Sequence, residues 1–262
     1  MSNIVCVILL GLIEGITEFL PISSTGHLLI AEYWLGARSD TFNVVIQAGA
    51  ILAVTLLYRQ HLWQLATGLG RADTRDYALK LGVAFAITAV LAFAAAKAGL
   101  KLPEKITPVA WALLLGGIWM IGAEHFAARR ADDARISWTV AVLVGLAQVV
   151  AAIFPGTSRS GATIFVAMLA GTSNRPAATE FAFLVGIPTM FAASGYELLK
   201  AMKAGTGHED WTSLVIAFAV STVTAFVAVK WLLGYIRTHR FTPFAVYRIA
   251  LGAALLLYMP GA

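Results

Sequence analysis

Two carboxylates, three hydroxyls and an imidazole lie within one short stretch near the start of the chain: Glu14, Glu18, Ser23, Ser24, Thr25 and His27. Glu14 and Glu18 are four residues apart, which on a helix places both carboxylates on one face. Adjacent carboxylates repel unless a cation or a shared proton sits between them, and a hard divalent cation, Mg²⁺ or Ca²⁺, suits oxygen ligands. Ser23, Ser24, Thr25 and Gly26 follow Pro21, and hydroxyls with free N–H groups at the start of a helix form an anion site. His27 can shuttle a proton near neutrality, and Ser24 or His27 can attack phosphorus. Helix capping is the bland alternative, but one cap needs one hydroxyl rather than three.

A second stretch, Pro155-Gly-Thr-Ser-Arg-Ser-Gly-Ala-Thr163, repeats the pattern with Arg159 at its centre. The arginine fork matches phosphate oxygens, and Ser158, Ser160, Gly161 and Thr163 surround it. An ion pair from Arg159 to Glu18 or Glu14 is the structural alternative, with which a substrate phosphate competes. One segment with carboxylates and a histidine and another with an arginine make a phosphoryl-transfer site. Glu180 and Arg248 are supporting partners at most. Glu197, Lys200 and Lys230 lie near span ends and snorkel. His61, His125, His208 and His239 show no metal-ligand spacing.

The elements that must position these residues are membrane helices. Of 262 residues, 59% are hydrophobic and 13% charged, against roughly 25% charged in soluble domains. Lipid must therefore be the solvent for much of the surface. The net charge of +5 sits at the ends of apolar spans, where it sets orientation and is no nucleic-acid signal. Cys6 is alone, so there is no disulfide framework. The apolar start lacks a basic region before it and carries two glutamates, unlike a cleaved signal peptide.

Six segments are long and apolar enough to span: 41–58, 80–98, 107–127, 181–200, 212–235 and 242–259. Residues 3–20 and 139–154 are apolar but break at Pro21 and Pro155, each followed by a short helix near 26–36 and 161–171. Non-helical backbone at membrane depth survives only inside protein or beside a wet cavity. Both read as re-entrant helix–break–helix hairpins.

The halves, about 1–130 and 137–262, also match each other. Gly11-Leu12 precedes Pro21 as Gly145-Leu146 precedes Pro155, Glu14 falls opposite Gln148, and Ser23-Ser24 fall opposite Thr157-Ser158. Gly26 falls opposite Gly161 after a one-residue insertion. One hairpin plus three spans per half makes an inverted repeat within a single all-α integral membrane domain. Arg59, Arg71, Arg75, Lys80, Arg129, Arg130, Arg135, Arg237 and Arg240 mark one side as cytoplasmic. Lys97, Lys101, Lys105, Lys200 and Lys203 lie on the other. Tyr33, Trp34, Tyr58, Trp63, Trp211 and Tyr235 fit interfacial belts.

EGITEFLPISSTGH at 14–27 and PGTSRSGATI at 155–164 resemble the two signature motifs of the undecaprenyl-diphosphate phosphatase, or bacitracin-resistance, family of bacterial membrane proteins. FNVVIQAGAILAV at 42–54, AATEFAFLVGIP at 177–188 and FTPFAVYRI at 241–249 fit it too. The resemblance implies a metal-dependent phosphoric anhydride hydrolase of the inner membrane, converting undecaprenyl diphosphate to undecaprenyl phosphate at a periplasm-facing site. It implies that Glu14 and Glu18 are the acidic pair, Ser24 and His27 the catalytic hydroxyl and imidazole, and Arg159 the essential arginine. Asn43 and Thr157 depart from the family's usual acidic and aromatic residues. The sequence leaves open a covalent or a direct route, and a homodimer. The rival from another class is a transporter or flippase of the polyprenyl lipid, acting with or without hydrolysis.

Overall fold

Residues 3–100, 105–204 and 210–259 are described by a computed structural model of the chain; Lys101 and His208 lie outside the described residues. Lipid offers no partners to backbone N–H and C=O groups, so a spanning chain must satisfy them within helices. Among the described residues there are eleven: α1 (Asn3–Thr17), α2 (Ser24–Leu35), α3 (Asp40–Leu57), α4 (Arg59–Thr67), α5 (Ala72–Lys97), α6 (Ile106–Ala127), α7 (Trp138–Ile153), α8 (Arg159–Ala170), α9 (Arg175–Ala204), α10 (Trp211–Tyr235) and α11 (Thr242–Tyr258). The start of α3 is capped by Ser39, that of α7 by Ser137 and that of α10 by Asp210, each side-chain oxygen accepting a first-turn N–H.

Helices α3, α5, α6, α9 and α10 are long and apolar enough to cross a membrane. The sixth expected span, α11, has 17 residues, about 25 Å of helix axis. Some boundaries differ from the hydropathy reading. Helix α5 begins at Ala72, so Arg75 and Lys80 lie on it rather than in a loop. Helix α9 begins at Arg175 and continues through Pro188. The polar first turns of both read as loop on hydropathy, yet alanine and long straight side chains favour helix there. The short α4 has no counterpart in the expected elements.

Helix α6 lies along α11, α1 and α3 along α10, and α5 along α7. Small residues allow this closeness without a hydrophobic drive between helices. A Cβ on Gly117 of α6 would stand 2.7 Å from Ala245 O of α11, and one on Gly252 of α11 2.7 Å from Ala110 O of α6. Val90, Val215, Val223, Val227 and Leu257 are exposed, as lipid-facing groups must be. Inside, Phe165, Phe181, Phe183 and Phe241 pack with Phe19, Leu20 and Ile22. Those last three belong to the first break, so this irregular backbone is buried in protein. Tyr58, expected in an interfacial belt, is instead buried in the same core.

Candidate active site

Helix α1 ends at Thr17 and α2 begins at Ser24; α7 ends at Ile153 and α8 begins at Arg159. In each gap one serine caps the following helix. Ser23 Oγ accepts from Gly26 N at 3.3 Å, and Ser158 Oγ accepts from Gly161 N at 3.2 Å. Both serines have positive φ, 73° and 66°, the only two non-glycine residues of this kind among the described residues. Such backbone costs about 1–3 kcal/mol per residue and collects where surrounding structure enforces it. The caps pair Ser23 with Ser158 and Gly26 with Gly161. The extra residue therefore lies between Pro155 and Ser158, and Ser24 stands opposite Arg159.

Three predicted residues meet in this place. The Arg159 guanidinium donates to Glu18 Oε1, and Ser24 Oγ donates to Glu18 Oε2. The Glu18 side chain is 4% exposed and that of Arg159 25%. Ser24 is the first residue of α2 and Arg159 the first of α8, so the positive ends of two helices converge on one point. Glu14 is buried one turn before Glu18, and its Oε2 has no hydrogen-bond partner among the described residues. Gln148 donates to Thr88 Oγ1 at 3.2 Å, and its own Oε1 is likewise unpartnered.

The other predicted residues surround this centre differently. Thr25 is exposed. Ser158 serves as a cap, and Thr163 Oγ1 bonds back to Arg159 O at 2.8 Å. Ser160 Oγ donates to Leu20 O at 3.0 Å and so ties the second break to the first. His27 is only partly buried. Its Nδ1 donates to Ser23 O at 2.7 Å, and its Nε2 meets the Tyr247 hydroxyl at 2.7 Å. Both ring nitrogens of the histidine therefore bond to groups other than Glu18, Ser24 and Arg159.

Two further residues support the site. Arg248 is 1% exposed. Its guanidinium donates to Pro21 O (3.4 Å) in the first break, to Gly156 O (3.0 Å) and Thr157 O (3.1 Å) in the second, and to Ala112 O (3.0 Å) of α6. One side chain of α11 thus clamps both breaks. Gly116 makes room for it, since a Cβ there would stand 2.3 Å from Arg248 Nη2. Tyr247, which the sequence reading missed, holds His27. The adjacent aromatic and arginine in FTPFAVYRI are their only sequence trace. Glu180 is not a site partner, because it faces His61 Nδ1 at 3.2 Å.

No group of three or more His, Cys, Asp or Glu among the described residues could hold a metal alone. A pair of carboxylates with one unpartnered oxygen still fits a hard cation whose remaining ligands are phosphate oxygens and water.

The chain matches the family described as "Bacitracin resistance protein BacA" over residues 7–254. It is 64% identical over 263 residues to "Undecaprenyl-diphosphatase" of Xanthomonas euvesicatoria pv. vesicatoria (strain 85-10), covering 100% of this chain and 99% of that one. It is 69% identical over 249 residues to "Undecaprenyl-diphosphatase" of Rhizobium etli (strain CIAT 652), covering 95% and 94%. A multi-pass helical chain with two capped breaks, matched by this family over residues 7–254 and by these bacterial proteins over 95–100% of its length, belongs to the bacitracin resistance protein BacA family.

Proposed function

We propose that the chain hydrolyses undecaprenyl diphosphate to undecaprenyl phosphate and inorganic phosphate, and so recycles the carrier lipid of cell-wall synthesis and gives bacitracin resistance. The observation that carries this is the Ser24–Glu18–Arg159 chain of contacts at two converging helix starts. The name borne by relatives at 64–69% identity supports the substrate.

The diphosphate displaces Glu18 from Arg159, whose fork takes the phosphate oxygens while the isoprenoid tail stays in lipid. Thr25 and the N–H groups opening α2 and α8 face the same anion. Ser24 Oγ attacks the terminal phosphorus, and its proton passes to Glu18. The bond from that phosphorus to the bridging oxygen breaks, and undecaprenyl phosphate leaves, taking up the proton. Water then attacks the phosphoserine; its hydroxyl leaves on the released phosphate and its other proton passes to Ser24. Glu14 and Glu18 would hold a divalent cation, Mg²⁺ or Ca²⁺, which when bound offsets the charge of the diphosphate. The contact of Ser24 with Glu18 favours the serine over His27 as nucleophile; His27, held by Tyr247, orders the first turn of α2.

The site lies between two inverted, re-entrant halves. Matching positive-φ serine caps support this, as does an exchange of helix partners, α1 on α10 and α7 on α5. Gly11 of α1 abuts Ala217 O of α10, and Gly145 of α7 abuts Ala84 O of α5. With the arginine-rich ends cytoplasmic, the first hairpin enters from the periplasm of the inner membrane.

The test is phosphate release from undecaprenyl diphosphate in detergent, with and without EDTA. Wild type should release phosphate, EDTA should abolish release, and Ser24→Ala should lower it by about 10³-fold. Full activity of Ser24→Ala would remove the serine route. The same exchange of helix partners also suits a transporter of the lipid, which would release no phosphate in detergent.

A further inference from the structure

An arginine-lined cavity lies at the other end of α8. Arg159 opens that helix and Met168 nears its close, about 14 Å along the axis. There a cavity of about 490 Å³ is lined by Arg130, Arg175, Arg237 and Arg240, with Asp132 and an apolar wall that includes Met168 and Ile236. Arg175 is paired with Glu124 behind the wall at 2.8 Å. Arg130 Nη1 donates to Leu169 O. No carboxylate pairs with Arg130, Arg237 or Arg240 among the described residues. Four guanidinium groups against Asp132 and Glu124 leave the cavity with a net positive charge.

The cavity is built rather than incidental. Its rim joins the loop after α6 to the loop after α8 through Asp133 N to Ser173 Oγ (2.8 Å), Asn174 N to Asp133 O (3.0 Å) and Thr172 Oγ1 to Arg135 O (2.7 Å). Asn174 Nδ2 also donates to Asp132 at 3.1 Å. The elements ending at this rim carry exposed Phe126 on α6 and exposed Trp231 on α10, aromatic side chains that sit at the headgroup level of a bilayer. Basic pockets between helix ends at this depth hold lipid phosphates.

We propose that this cavity binds the phosphate group of an anionic phospholipid, with the guanidinium fork of Arg237 or Arg240 taking its oxygens and the acyl chains running beside Phe126 and Trp231. The proposal does not rest on the hydrolytic reading, because no residue is shared with the candidate active site.

The full chain, purified in a neutral detergent, is given phosphatidylglycerol, phosphatidylcholine or inorganic phosphate. Retained lipid is read by native mass spectrometry and protection by thermal unfolding. Wild type should retain phosphatidylglycerol and be protected by it, with no effect of the other two. The exposed double variant Arg237→Gln/Arg240→Gln should retain about tenfold less while releasing phosphate from undecaprenyl diphosphate as wild type does. The double variant Arg71→Gln/Arg75→Gln, at the start of α5 and outside the cavity lining, should retain as much as wild type. Equal retention by Arg237→Gln/Arg240→Gln, equal loss in the Arg71/Arg75 control, or equal protection by inorganic phosphate would overturn it.

Discussion

At the residue scale the centre is one carboxylate shared between two partners. Glu18 gives one oxygen to Arg159 and the other to Ser24. Removing one partner of a buried pair costs about 3–5 kcal/mol, because the other charge is left uncompensated. Arg159→Met should therefore lower the unfolding temperature markedly as well as abolish turnover. Glu18→Gln/Arg159→Met should recover most of the stability and none of the activity, as thermal unfolding and phosphate release would show. Arg159→Lys keeps the charge but loses the fork, and its turnover should fall about 10²-fold or more. Gly116→Ala is the sharper probe of Arg248. It should push the guanidinium off the carbonyls of both breaks, costing about 1–3 kcal/mol for each acceptor left unpaired, with a loss of turnover to match. The residues of the centre were legible in the sequence because charges at membrane depth are too costly to keep without a task. Arg248 was legible as a supporting residue but not as a clamp on both breaks, since backbone carbonyls accept without regard to residue type. His27 was legible as a candidate, but its orientation depends on Tyr247, 220 residues away.

At the scale of elements, the two capped breaks explain how a membrane chain delivers two helix starts to one point. Serine at positive φ does what glycine cannot, because its Oγ caps the helix it opens. Ser158→Ala keeps the strain and loses the cap, so a fall in stability of about 1–2 kcal/mol is expected. Ser158→Gly relieves the strain and should unfold within about 0.5 kcal/mol of wild type; denaturation of the two variants side by side gives the comparison. Both breaks were readable from proline followed by hydroxyls. The first turns of α5 and α9 were not, because hydropathy marks where lipid begins rather than where a helix does. Proline inside α9 did not stop that helix, as neighbouring helices can re-satisfy the freed backbone.

At the scale of the whole molecule, the expected six spans became five long helices and the shorter α11, packed through glycines against α6. The orientation proposed from the arginine-rich ends can be read directly. In a Cys6→Ala background, a membrane-impermeant maleimide applied to intact cells with a permeable outer membrane should label Leu100→Cys, between α5 and α6, and spare Ala131→Cys, between α6 and α7. The reverse pattern would invert the assignment. Composition sufficed to say that lipid is the solvent, because 59% hydrophobic residues cannot be hidden in a chain of this size. It could not say which helices touch, since close packing here depends on where single glycines fall.

In the proposed reaction the contact between Glu18 and Arg159 makes the resting protein its own competitor. Every phospholipid in the surrounding leaflet offers a phosphodiester with a single charge, and such a group gains little by exchanging places with a carboxylate already seated and desolvated. A terminal diphosphate brings more charge and more oxygens and can take the arginine, while a divalent cation at Glu14 and Glu18 would offset the charge of the glutamate it displaces. The monophosphate that leaves is a poorer rival for the same seat. An internal ligand of intermediate strength thus sets a threshold, with the substrate above it and the bulk membrane below. The enzyme can sit in a sea of phosphates without being silenced by them.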